Sequence, residues 1–421
     1  MGLLSSKKNV LLKVFIAMLL FFCYGCVNHQ DTPVKTGLDR VHEYHNLFKN
    51  KRIGIITNHT GYNSEGKHIV DIFAAMESVE ITALFGPEHG IRGAGEAGEK
   101  IASENDPIRN IPIYSLYGKT RKPTSEMLAA VDILVFDIQD IGARFYTYIY
   151  TMALAMEAAA EHGKKFVVLD RPNPISGTIV EGNILEEAFA TFVGLYPIPV
   201  RHGLTAGELA QLFNEEGWLK NGVKANLTVI PLKNWQRNQW FDETGLRYIK
   251  PSPNMPNLAS ATTYPGICLL EGTNVSEGRG TEIPFQILGA PWIDQTQLAA
   301  KLNDLQLPGV AFRDTVFTPV SISGASTNPK HRNKICGGVF VAVKNREAYQ
   351  SYLTGIHIVN TIHKLYPDSL KWRIKHFDRL CGTAAVRETI QGSGNIDSLI
   401  TSWEEQFSSF MKTRKKYLIY E

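Results

Sequence analysis

Two ionisable side chains stand side by side in Leu84-Phe-Gly-Pro-Glu-His-Gly90, where an apolar run stops between a proline and a glycine. Pro87 fixes its own φ and Gly90 frees the backbone after the pair, so Glu88 and His89 are expected on a stiff turn at a strand end. A carboxyl set against the apolar end of a sheet loses solvation of its charged form, which suits a general acid. Further polar clusters recur along the chain: Asn58 in TNHTG, Asp137, Gln139 and Asp140 in FDIQDIG, Arg171 and Asn173 in LDRPNP, and Arg201-His202-Gly203. In GARFYTY, Arg144, Tyr146 and Tyr148 alternate, and an extended chain would project them from one side. Aromatic rings stack on the apolar faces of sugars, and arginine suits a carboxylate. LEGTNVSEGRGTEIPF gathers Glu271, Asn274, Ser276, Glu277, Arg279, Thr281 and Glu282 among glycines, a density of charge that reads as a site wall or lid.

Each cluster also has a purely structural reading. TNHTG can be a turn in which Asn58 bonds its own backbone, and LDRPNP a proline-braced turn with a structural Asp–Arg pair. The aromatics of GARFYTY can plug the space beneath the next helix, and the glycine-rich stretch can be a solvated loop. Other chemistries lack their signatures. There is no GxSxG elbow, no Walker A sequence, no HExxH, and the glycines of GIRGAGEAGEK do not meet the GxGxxG dinucleotide pattern in its strand-to-helix setting. Neither a metal nor a cofactor is expected. Carboxylates, histidines, arginines and tyrosines in a crevice fit glycoside or amide hydrolysis.

A crevice needs elements to build it. Short apolar runs alternate with helical stretches: RIGIIT (52–57), ITALF (81–85), IPIYSLY (111–117), ILVFDI (133–138) and FVVLD (166–170) as strands; 68–76, 123–131, 147–163 and 205–218 as helices. Strands of unbroken apolar character separated by helices indicate a parallel sheet covered on both faces, a Rossmann-like doubly wound α/β fold. Parallel strands send their carboxyl ends to one edge, so the polar clusters that follow them should converge there. Thr205 and Glu208 have capping-box spacing and Gly163 reads as a helix C-cap. Residues 249–291 show little periodicity and read as a functional loop or linker. Beyond them a second, smaller α/β set runs to a C-terminal helix near 397–413, which places a Rossmann-like domain at 46–290 and a C-terminal α/β domain at 291–421.

The amino terminus reads as an export segment. Lys7, Lys8 and Lys13 precede the apolar run Val14–Phe22, and Cys23-Tyr-Gly-Cys26 follows, resembling a lipobox with Cys26 as the lipidated residue. The run falls short of the ~20 residues a membrane span wants. Residues 1–25 are taken as a lipoprotein signal peptide and 26–45 as a tether, giving an exported protein anchored to a membrane through its lipid; the alternative is an uncleaved anchor helix. The whole chain has 44 basic and 41 acidic residues; residues 1–25 hold three lysines and no acid, leaving 41 against 41. A neutral chain without a basic block offers little grip on nucleic acid. Cys268, Cys336 and Cys381 are widely spaced and read as buried thiols.

GIITNHTG, LFGPEHGIRG, FDIQDIGARFYTYIYT, VLDRPNP, EGTNVSEGRGTEIPF and FDRLCGT together resemble the exo-β-N-acetylmuramidases of glycoside hydrolase family 171. These enzymes release N-acetylmuramic acid (MurNAc) from the non-reducing ends of peptidoglycan fragments. The resemblance runs from about Arg52 to the C-terminal helix, with Cys381 standing where a small residue is expected. It implies a Rossmann-like domain with the active site in its cleft, a smaller α/β domain after it, and Glu88 as the catalytic candidate. MurNAc carries a 2-acetamido group and a 3-lactyl carboxylate. Its pocket needs a stacking aromatic (Tyr146 or Tyr148), amide partners (Asn58 or Asn173) and a cation (Arg144, Arg201 or Arg279). Arg171, His202, Glu271 and Asn274 are expected beside them. Glu88 would be the acid, oriented by His89. The second group would be a carboxylate such as Asp140 or Glu282, or the acetamido oxygen of the substrate itself. Two other readings use the same crevice: a non-catalytic lipoprotein that captures muropeptides for uptake, and an amidase cleaving the stem peptide.

Overall fold

The computed structural model describes residues 33–93, 95, 96, 99 and 104–421, so the export segment and Cys26 lie outside the described residues. Seven strands form the first sheet: β1 (Lys51–Thr57), β2 (Val79–Gly86), β3 (Glu104–Asn105), β4 (Pro112–Ser115), β5 (Ile133–Asp137), β6 (Lys165–Leu169) and β7 (Asn226–Ile230). Their order is β3-β4-β2-β1-β5-β6-β7. All pairs are parallel except the two-residue edge strand β3 against β4. With the parallel strands alone counted in chain order, the sheet reads 3-2-1-4-5-6, the Rossmann order, with its reversal between β1 and β5.

Side chains of successive strand residues alternate between two cores. Ile53, Ile55, Val135, Val167 and Leu169 face helix α1 (Ile69–Ala74) together with Leu38, Val41 and Phe48. Ile56, Phe85, Leu134, Phe136, Phe166 and Val168 face helices α2 (Tyr148–Glu161) and α3 (Ala206–Glu215) on the opposite side. Both faces are covered, which is why the strands read as unbroken apolar runs. The Thr205–Glu208 capping box forms at the start of α3, and Gly163 follows α2 with a φ of 63°.

The stretch expected to be a tether is part of the fold from Val34 onward. Val34, Leu38 and Val41 are buried, and the Gly37 N–H donates to Asp170 O at 2.8 Å. Leu38 and Val41, three residues apart in a 3-10 helix (Leu38–Tyr44), pack with the β1 side chains, and Val34 ahead of it packs with Leu232 and Trp235, a short pattern hidden among polar neighbours.

Residues 249–291 are ordered rather than a linker. They contain helix α4 (Leu258–Ile267), capped by Asn257 Oδ1 accepting from Ser260 N at 2.9 Å, and strand β8 (Ile287–Ala290). From Ser260 to Ile267 every residue of α4 is buried, so no amphipathic stripe marks it in sequence. It crosses α6 (Ser351–Leu365) with the main chains in direct contact: a Cβ on Gly266 would lie 2.0 Å from Ser351 O. Strand β8 joins β9 (Val310–Phe317) and β10 (Cys336–Val343) in an antiparallel sheet of order β8-β10-β9, with α5 (Gln295–Asn303) packed on it. Thus α4 and β8 pack with C-terminal elements although both lie upstream of the boundary expected near 291. The terminal helix divides into Ile396–Thr401 and Glu404–Lys415. Cys268, Cys336 and Cys381 are buried free thiols.

Candidate active site

The loops after β2, β4 and β5, together with α4, the turn that follows it and helix α7 (Ile374–Cys381), enclose a cavity of about 310 Å³. Glu88 and His89 line it from the tip of β2. The turn that carries them is closed by the Gly90 N–H donating to Pro87 O at 2.9 Å. His89 sits in the left-handed region with a φ of 70°. That conformation costs a non-glycine residue about 1–3 kcal/mol, and such strain concentrates at functional positions.

The His89 Nδ1–H donates to Gly95 O at 2.7 Å, which makes Nε2 the accepting nitrogen of the neutral ring. Burial holds its pKa below the ordinary histidine value against the opposing pull of the Glu88 charge, so the ring stays neutral at pH 7. Thr147 Oγ1 donates to Glu88 Oε2 at 2.8 Å. Thr147 immediately precedes α2, where a side-chain cap would sit, yet its hydroxyl serves Glu88 instead. The Tyr117 hydroxyl also hydrogen-bonds Glu88, and burial together with the Glu88 charge raises its pKa.

Opposite charges meet on the far wall. Arg279 Nη2 lies 2.8 Å from Glu271 Oε1, and its Nε lies 3.3 Å from Glu277. Lys330 joins Glu277 at 3.0 Å, and His376 Nε2 lies 3.6 Å from Glu271. Burial works to raise the Glu271 pKa, but Arg279 and His376 outweigh it and hold the carboxyl below its usual range. Arg379 Nη2 donates to His376 Nδ1 at 3.0 Å, which leaves the His376 Nε2 as the N–H that faces Glu271. Phe145, Tyr146, Tyr264 and Phe285 form an edge-to-face aromatic wall, with centroids 5.3 Å apart for Phe145–Tyr264, 5.9 Å for Tyr146–Tyr264 and 4.7 Å for Tyr264–Phe285. Cys268 also lines the cavity, but burial pushes its thiol far above the ordinary value and disqualifies it as a nucleophile.

The structure therefore gathers Glu88, His89, Tyr146, Glu271 and Arg279 into one cavity. Other expected site residues serve the scaffold. Arg144 is wholly buried and donates to the Asn183, Ile198, Leu380 and Cys381 carbonyls at 2.7, 2.9, 3.3 and 2.6 Å. The chain around it is not extended, since Arg144 N–H bonds Val200 O and α2 begins at Tyr148, so the expected one-sided row does not form. Tyr148 is buried with its hydroxyl on Pro251 O at 2.6 Å. Arg201, fully enclosed, bonds Ile175 O and faces Glu181 at 3.6 Å. His202 is enclosed as well; burial and the Arg414 charge push its pKa down to about 3, and its Nδ1 accepts from Leu204 N at 3.1 Å.

Asn58 makes the turn bond to its own backbone, with Oδ1 accepting from Thr60 N at 2.9 Å. Asn173 does the same toward Ile175 N at 3.2 Å. It also presses against Gly142, whose φ of 83° and lack of a side chain allow the approach. Asp140 is enclosed with Oδ2 accepting from Gly142 N at 2.7 Å. Asn274 accepts from Lys371 N at 2.8 Å and so ties two loops together, while Glu282 is exposed to solvent. Arg171 pairs with Asp137 at 2.8 Å and lines a different cavity of about 500 Å³, beside Thr60 and Gln139 at the reversal of the sheet. The strand tips converge on one edge, but they divide between two cavities.

Residues outside the expected set complete the site: Tyr117, Arg121, Phe145, Thr147, Tyr264, Phe285, His376 and Arg379. Tyr117 and Arg121 follow the tip of β4, so the strand-end rule already pointed at them. His376 and Arg379 are three residues apart on one face of α7, a spacing visible in sequence but far from any parallel strand.

Two family models match consecutive parts of the chain: "Exo-beta-N-acetylmuramidase NamZ, N-terminal" over residues 53–259 and "Exo-beta-N-acetylmuramidase NamZ, C-terminal" over residues 262–420. A Bacillus subtilis (strain 168) protein named peptidoglycan beta-N-acetylmuramidase NamZ is 50% identical over 389 residues, 92% of this chain and 91% of that protein. Two crystal structures of DUF1343 family proteins from Bacteroides fragilis NCTC 9343 are similar. One is 38% identical with a TM-score of 0.85, covering 92% of this chain and 99% of that one. The other is 36% identical with a TM-score of 0.74, covering 93% and 99%. With both halves matched in order and half of all aligned residues shared with a curated relative, the chain belongs to the exo-β-N-acetylmuramidase NamZ family.

Proposed function

We propose that this protein is an exo-acting glycoside hydrolase that releases MurNAc from the non-reducing ends of peptidoglycan fragments such as MurNAc-GlcNAc, with Glu88 as general acid. The observation that carries the assignment of Glu88 is its position: a carboxyl held by Thr147 and Tyr117 in the wall of a cavity of about 310 Å³, room for about one substituted sugar. A one-sugar cavity suits removal of a terminal unit. The aromatic wall offers a stacking surface, and the family membership supplies the sugar class. In the reaction, Glu88 gives its proton to the glycosidic oxygen as the bond to the anomeric carbon breaks; water supplies the new hydroxyl on that carbon and gives up its other proton, which restores the Glu88 carboxyl by the end of the cycle. Thr147 and Tyr117 carry hydroxyls that can turn to accept when the carboxyl holds its proton. Export and lipidation at Cys26, supported by the three lysines, the apolar run and the lipobox-like end, belong to the same proposal.

The test is incubation of the purified protein and its Glu88→Gln variant with MurNAc-GlcNAc, with products identified by mass. Wild type should yield MurNAc and GlcNAc. The variant should lose about 10²–10⁴ in kcat, the usual worth of a positioned acid, at an unchanged thermal midpoint. Turnover retained by the variant would remove Glu88 from the chemistry. Binding without product would favour a capture protein, and release of amino acids from muropeptides an amidase.

A further inference from the structure

The charges around the cavity divide into two groups. Glu271, Glu277, Arg279 and Lys330 satisfy one another: two carboxylates and two cations joined by contacts of 2.8, 3.3 and 3.0 Å. The remaining charged residues that line the cavity are Glu88, Arg121 and Arg379. Among the described residues neither of these two arginines has a carboxylate within ion-pair distance. The Arg121 guanidinium lies 4.5 Å from the centroid of the Phe192 ring, and Arg379 donates one N–H to His376 Nδ1 at 3.0 Å. Among the described residues, Arg121 and Arg379 are thus the lining cations without a carboxylate partner, and a substrate carboxylate would supply one.

Both arginines line the cavity while remaining exposed to solvent, and each rests against a ring. Phe192 supports the plane of Arg121. His376, fixed between Glu271 and Arg379, sets the direction of Arg379. A guanidinium fork held on one side by a neutral acceptor keeps its other N–H groups for an incoming anion. The cation that the sequence pointed to, Arg279, already faces two carboxylates, and Arg144 and Arg201 are fully enclosed.

We propose that Arg121 and Arg379 are the specificity-determining pair of this cavity, reading the 3-lactyl carboxylate that distinguishes MurNAc from GlcNAc, with His376 as a positioning residue for Arg379. The proposal rests on the reading of the cavity as a MurNAc site. Glu88 performs the bond breaking, and the two arginines decide which sugar is presented to it.

Two measurements test it. Binding of free MurNAc and free GlcNAc to wild type, Arg121→Met, Arg379→Met and the double variant is measured by calorimetry. Chromogenic β-glycosides of the same two sugars give kcat/KM for each protein. The ratio of MurNAc to GlcNAc preference should fall about tenfold in each single variant and about a hundredfold in the double variant, mainly through KM, and Arg379→Lys should recover part of the loss. Equal losses on both sugars, or an unchanged ratio, would overturn the assignment. If wild type binds MurNAc in preference to GlcNAc but cleaves neither glycoside, the hydrolase reading fails while the carboxylate assignment still stands or falls on the binding ratios. Binding of neither sugar overturns both.

Discussion

Arg144 offers the sharpest separation between holding the site together and reading the substrate. Its guanidinium donates to four carbonyls, two of them on Leu380 and Cys381 in the last turn of α7. Carbonyls at a helix C-terminus lack intrahelical partners and lie at the negative end of the dipole, so a buried cation there completes the helix. Helix α7 carries His376 and Arg379 into the cavity, and Arg144 acts on the site only through that helix. Arg144→Met keeps the length and removes the donors. Cys381 O keeps Asn183 Nδ2 at 2.8 Å and Ile198 O keeps the Leu185 N–H at 3.4 Å, so among the described residues the Asn183 and Leu380 carbonyls lose their donor. Two such buried carbonyls cost about 1–3 kcal/mol each, about 2–6 kcal/mol in all. Relief of the guanidinium desolvation offsets part of this, which leaves a net loss of about 2–4 kcal/mol. At an unfolding entropy of about 2.1 cal/mol/K per residue, a chain of this length should lose about 2–5 °C in thermal midpoint. Urea titration of wild type and variant gives the stability directly. The MurNAc-to-GlcNAc preference, measured at a temperature where both are folded, shows whether charge reading is affected. A variant within about 1 kcal/mol of wild type that nonetheless loses preference for MurNAc would refute the structural role and place the Arg144 charge on the substrate.

Asp140 predicts a pH-dependent stability. Burial pushes its carboxyl up to about 7 from an unfolded value near 3.9. The folded state therefore binds the proton more tightly than the unfolded chain, and this stabilisation is present at low pH and lost as pH rises from about 4 through 7. Asp140→Asn should match wild type near pH 4 and exceed it by on the order of 4 kcal/mol above pH 7; a difference that does not change with pH would show that Asp140 is not held protonated. Cys26→Ser should move the protein from the membrane fraction to the soluble fraction of the exporting cell, and an unchanged distribution would remove Cys26 as the anchor.

Much of the first sheet was legible because parallel strands buried on both faces leave unbroken apolar runs, as in RIGIIT and ILVFDI. Strand β7, NLTVI, escaped because its first four residues stay partly open to solvent, and α4 escaped because burial on all sides erases the helical period. Glu88 was legible because proline and glycine bracket it. Arg144 and Arg201 lie in the scaffold rather than in the cavity: an arginine that grips main-chain carbonyls, as both do, leaves no mark of that task in the sequence, so its type suggests a ligand when it caps and braces. The strand-end rule reaches Arg121 but not Arg379, and the role proposed for the pair depends on which other cations are already neutralised, a matter settled only in three dimensions.

The three enclosed sulfhydryls sit at separate places: Cys268 in the wall behind the sugar cavity, Cys336 at the start of β10 and Cys381 at the end of α7. A maleimide can reach each one only during a local opening, so labelling rates resolved by peptide mapping become three independent clocks of breathing. A saccharide that seals the cavity should slow the Cys268 clock most. The molecule thereby carries its own reporters of occupancy without any engineered probe.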